Sequence, residues 1–106
     1  MPTYLWRASY TAEGTRGLLK DGGSKRRELV SQMVAKAGGK LHAFYYALGD
    51  ADLYGIAEFP DTVTAAALSL AVNASGAVTL QSTLLISPEE IDAAAKKSVG
   101  YRPPGA

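Results

Sequence analysis

The chain contains no cysteine, which excludes disulfides, thiolate nucleophiles and Cys-ligated zinc or iron–sulfur centres. It has a single histidine, His42, too few for a multi-histidine metal site within one chain. Net charge is nearly absent, at +1 from 11 Lys and Arg against 10 Asp and Glu. No overall field therefore draws the protein onto nucleic acid or an anionic membrane. No apolar run approaches the ~18 residues of a bilayer span. The opening Met1-Pro2-Thr3-Tyr4-Leu5-Trp6-Arg7 lacks the basic and then apolar regions of an export signal, so a cytoplasmic domain is expected. Glycine-rich phosphate loops, dinucleotide fingerprints and the Gly-x-Ser-x-Gly elbow are missing as well.

What remains is ordinary globular composition, 47% hydrophobic and 20% charged over 106 residues, enough for one core and one domain. The expected domain spans residues 1–99, with 100–106 and its Pro103-Pro104 as a tail. Thr3 to Tyr10, aromatic and branched, reads as a strand. A long glycine-bearing connection through Gly14, Gly17, Gly22 and Gly23 follows, with Leu18-Leu19 tucked inward. Ser24 is placed to cap a helix in which Leu29, Val30, Met33, Val34 and Ala37 recur at helical spacing, and Gly38-Gly39 stops it. Lys40–Leu48 and Asp52–Phe59 read as a hairpin closed by Gly49-Asp50-Ala51. Asp61 caps a second helix running to about Ser75, Val78–Ile86 is a fourth strand, and Ser87-Pro88-Glu89-Glu90 is a capping box opening a last helix to about Ser98.

This order, βαββαβ plus a helix, is the ferredoxin-like α+β pattern with a four-stranded antiparallel sheet ordered 4-1-3-2. Alternation along the strands sorts the hairpin and last strand into two faces. Leu41, Ala43, Tyr45, Ala47, Leu53, Gly55, Ala57 and Phe59 suit the helix-covered face. His42, Phe44, Tyr46, Tyr54, Ile56 and Glu58 fall on the other, while the first strand fits either way. Phe44, Tyr46, Tyr54, Ile56 and Leu85 together make an apolar patch larger than a soluble monomer usually shows. The simplest cover is a second copy of the same sheet.

The ordered landmarks Gly38-Gly39-Lys40-Leu41, Phe44-Tyr45, Leu48-Gly49-Asp50-Ala51-Asp52-Leu53 and Glu58-Phe59-Pro60-Asp61 resemble the GYD domain family of small bacterial proteins. Tyr10-Thr11-Ala12-Glu13-Gly14 and Lys20-Asp21 are similar to its first strand and loop. The chain departs at the signature itself, where Ala51 stands in place of the family's tyrosine. The resemblance implies a dimeric α+β barrel and brings no activity with it. Other barrels of that kind include cofactor-independent monooxygenases and isomerases, a likeness of fold alone.

Four constellations carry the chemistry on offer. A hairpin with Leu48 opposite Asp52 sets His42 opposite Glu58, an imidazole–carboxylate pair fit for proton transfer or for a structural contact at an interface. Arg7 completes a polar cluster if its strand turns that way, either as an anion anchor or as an ion-paired structural residue. Trp6 and Tyr45, with Tyr4 and Tyr10, are expected to line a pocket between sheet and helices or simply to fill the core. Lys25-Arg26-Arg27 beside Lys20 puts positive charge at a helix N-terminus, a solvated patch or an anion site. The candidate ligand-contacting residues are thus Trp6, Arg7, His42, Tyr45 and Glu58. No metal or cofactor is implied and no reaction can be named. The expected partners are a second copy and a small organic molecule, against a purely structural or regulatory dimer or a cofactor-independent enzyme.

Overall fold

The computed structural model describes residues 1–106. Its elements are β1 (Thr3–Tyr10), α1 (Ala12–Asp21), α2 (Gly23–Lys36), β2 (Lys40–Tyr46), β3 (Leu53–Glu58), α3 (Thr62–Ala74), β4 (Val78–Leu85) and α4 (Pro88–Ala95). All strand pairs are antiparallel in the order β2-β3-β1-β4, the ferredoxin-like α+β arrangement expected from the element pattern.

The connection after β1 is not a loop. Thr11 accepts a hydrogen bond from the Gly14 N–H at 3.2 Å and caps α1. Gly14 belongs in that helix because a Cβ there would stand 2.0 Å from the Ala77 carbonyl oxygen. Leu18 is half-buried, whereas Leu19 is 82% exposed rather than tucked inward. α2 follows directly, capped by the backbone of Gly22 and not by Ser24.

On β1 the choice of face is resolved: Tyr4, Trp6 and Ala8 are buried, and Arg7 is exposed. Tyr4 and Trp6 meet Phe59 at ring separations of 6.2 and 6.0 Å, with Val30 and Val34 of α2 and Ala65 of α3 closing the main core over them. Aromatic pairs of this kind add about 0.5–1.5 kcal/mol beyond the area they bury. α2 packs on β2 and α3 on β4, so both long helices cover one face and leave the other open. Asn73 of α3 holds the β4 edge: its amide donates to the Leu80 carbonyl at 3.1 Å and accepts from the Leu80 N–H at 2.7 Å. That satisfies edge groups that would otherwise invite pairing with another chain.

The hairpin departs from its expected register. Tyr46 pairs with Leu53, Tyr45 with Tyr54, Phe44 with Gly55 and Ala43 with Ile56; a bulge at His42 then brings Leu41 opposite Ala57 and Lys40 opposite Glu58. The register lies one residue from the Leu48–Asp52 alignment before the bulge and two beyond it. Because side chains alternate, that single step exchanges the faces. Phe44 packs against both core clusters and Tyr46 reaches back to α2, while Tyr45 turns outward at 72% exposure.

α4 has the expected capping box between Ser87 and Glu90. It buries no residue.

Candidate functional site

Two regions bear on function, one on each side of the sheet. The first is a cleft between the sheet and helices α2 and α3. Its floor is Trp6, Ala8 and Leu80, its walls are Met33 and Leu68, and Arg26 is the only charged residue in its lining. Space open to the centre of a water molecule is about 50 Å³, room for a few waters. Ligand pockets usually run to several hundred Å³. Arg26 lies one helical turn before Val30 and two before Met33, so it shares their inward stripe. That spacing is the signal by which the sequence marks it, although the sequence reading takes it only with Lys25 and Arg27 as a basic cluster at a helix N-terminus, a solvated patch or an anion site. Near this end Tyr46 donates to the Gly23 carbonyl at 3.1 Å. Burial, and then the neighbouring Tyr10 phenol, hold the Tyr46 hydroxyl above its ordinary value near 10 against a smaller lowering by Arg26 and Arg27.

The second region is the open outer face. Strand pairing places Leu5 and Ile56 side by side, Arg7 beside Tyr54, and Tyr54 beside Tyr45. Leu5 also neighbours Thr83, and Arg7 neighbours Gln81, so the β4 side of this face is polar. His42 Nε2 lies 2.8 Å from Glu58 Oε1, with the two side chains 39% and 28% exposed. The bulge puts the imidazole on this face although its strand neighbours do not carry it there. An exposed pair of this sort contributes under about 1 kcal/mol. Chemically it is an imidazole oriented by a carboxylate at Nε2, with no hydrogen bond at Nδ1.

Of the five candidate residues, the structure therefore unites two. His42 and Glu58 form their pair. Arg7 is exposed and makes no ion pair or side-chain hydrogen bond, so the three-membered cluster is not formed within the chain. Trp6, 5% exposed, lies on the opposite side of the sheet from Tyr45, and Tyr45 does not line the cleft. Phe44 and Tyr46, expected on the open face, line the helix side; Tyr54 and Ile56 do lie on the open face. Asp50 and Asp52 flank a buried Ala51, 1% exposed, and Asp52 accepts from the Tyr10 N–H at 2.8 Å. That contact continues the end of β1 beyond its last partner on β3. Lys25 sits 3.8 Å from Asp21, an exposed pair that offsets part of the basic charge opening α2.

A family model described as GYD domain matches residues 4–95. No curated protein and no solved structure matches the chain.

Proposed function

The chain belongs to the GYD domain family, and on that premise we propose that it works as a homodimeric module whose two sheets stack through their outer faces. One observation carries this reading: Leu5, Tyr45, Tyr54, Ile56 and Leu85 share a sheet face that no helix of the chain covers. A second copy related by a two-fold axis offers the same surface in return. The face also holds both signs of charge, with Arg7 unpaired and Glu58 only half-covered. Sedimentation of the full chain from 1 to 100 µM should give a dimer, and Ile56→Asp should give a folded monomer. A wild-type monomer across that range overturns the reading.

A second reading, ligand binding, is favoured by Arg26 as the lone charge in an otherwise apolar cleft. That lining suits an organic acid with an apolar body. The cleft is narrow, so such a ligand enters by parting α2 from α3. Octanoate should raise the melting temperature saturably, octanamide should do so far less, and Arg26→Met should erase the difference. Equal effects of acid and amide, or no saturable effect at millimolar concentration, remove this reading. The small volume gives no support to a cofactor-independent enzyme.

A further inference from the structure

The cleft beneath α2 and α3 adjoins a second space under α1, and the two share Tyr10, Arg26 and Val78. The second is the larger, about 210 Å³ against about 50 Å³ by the same measure. Where the cleft is apolar, this space carries charges of both signs: Arg26 from α2, and Glu13 and Asp21 from α1. The two acids and Gly17 fall on one stripe of α1, at positions 13, 17 and 21, so the helix turns that stripe to the space. Arg26 is half-buried, unlike Lys25 and Arg27 beside it, and has no ion pair. A guanidinium drawn partly out of water calls for an anion. Asp21 already has Lys25 at 3.8 Å, whereas Glu13 has no ion pair. Gly17 is an independent sign. A Cβ there would meet nothing within 4 Å, and its φ is not positive, so neither a close neighbour nor the backbone requires glycine. Glycine in a helix interior lowers stability relative to alanine; here it leaves the wall of the space bare.

We infer that the joined spaces bind an α-amino acid with a small apolar side chain, its carboxylate on Arg26, its ammonium on Glu13 and its side chain in the cleft. This rests on the ligand-binding reading above and narrows the organic acid to a zwitterion. Charge selects it. Arg26 and Glu13 border one space yet do not pair with each other, so a molecule with both charges at one end satisfies both. A plain carboxylic acid would bring its charge into the space that Glu13 borders, and an amine would leave Arg26 without an anion. Size selects the side chain. At roughly 10–15 Å³ for each water-sized position, the cleft admits about four non-hydrogen atoms. That is an isobutyl group, held among Trp6, Leu68 and Leu80 without parting α2 from α3.

The test compares L-leucine with 4-methylpentanoate, which lacks the ammonium, and 3-methylbutylamine, which lacks the carboxylate. Each is titrated into ¹⁵N-labelled full chain and read on the amides of Gly17 and Leu80, one lining each space. Leucine should move both amides saturably and bind at least tenfold more tightly than the amine. Because Glu13 is exposed, the margin over the acid is smaller, about three- to fivefold. Glu13→Gln should remove that margin. Gly17→Leu, which fills the space while favouring the helix, should melt no lower than the parent and lose leucine binding at least tenfold. Three results each overturn the zwitterion: leucine no tighter than 4-methylpentanoate, a margin that survives Glu13→Gln, or full affinity in Gly17→Leu. Saturable octanoate binding that needs Arg26 would then leave the organic-acid reading standing. No saturable shift with leucine, 4-methylpentanoate or octanoate overturns both.

Discussion

Asp52 and Asp61 show how single carboxylates fix where this chain turns. Asp52 takes the Tyr10 N–H at 2.8 Å where β1 runs past its partner on β3. Asp61 takes the Thr64 N–H at 2.7 Å and so starts α3. That backbone hydrogen bond holds the Asp61 carboxyl below its ordinary value of 3.8, because donation from an N–H favours the charged acceptor. The sign follows from linkage: a carboxyl lowered by folding contributes stability that is complete above its unfolded value and is lost as pH falls through the lower folded one. Asp61→Asn should therefore melt below the parent at pH 6, and the gap should close as pH drops below about 4. A gap that is constant from pH 6 to pH 2.5 would show that the charge of Asp61 plays no part. The His42–Glu58 pair belongs at this scale too. It was legible in the sequence as two residues on one face, yet it forms at a bulge rather than in the regular pairing first drawn.

That bulge marks the boundary between what was and was not legible among the elements. Topology, sheet order, the α3 cap and the α4 capping box follow from hydrophobic period and from Asp61, Ser87 and Pro88, all local signals. The bulge at His42 has no such signal: no glycine or proline marks it. One inserted residue then reverses Phe44, Tyr45 and Tyr46 together, which is why Tyr45 was expected beside Trp6. α1 escaped for a different reason. Gly14 and Gly17 lower helix propensity, but Gly14 is there to let the helix approach the Ala77 carbonyl. Gly39 plays the same part at the turn into β2, where a Cβ would stand 2.1 Å from the Glu58 carbonyl oxygen and 3.1 Å from Val34 Cγ1. Neither backbone nor the fully buried Val34 can yield cheaply. Gly39→Ala should cost about 1–3 kcal/mol by the usual measure of overpacking, read as a lower urea midpoint at unchanged slope. An unchanged midpoint would mean that β2 and β3 shift apart freely at this end.

For the whole molecule the question is how a sheet with one covered face meets water on the other. Much of the core lies between the sheet and α2 and α3, and its largest fully buried side chains are Phe59 and Val34. Closing the outer face by a second copy makes folding and association one equilibrium, because the copy binds the folded face and has no counterpart on the unfolded chain. Melting temperature must then rise with protein concentration. Two 106-residue chains unfold with an entropy of roughly 450 cal/mol/K, at about 2.1 cal/mol/K per residue. A tenfold change in concentration is worth about 1.4 kcal/mol per dimer, so the expected shift is about 3 °C per tenfold. From 1 to 100 µM the parent should gain about 6 °C by the same reckoning, and Ile56→Asp should gain nothing. A parent whose melting temperature is flat over that range folds independently of its neighbours, and its open face then serves something other than self-association.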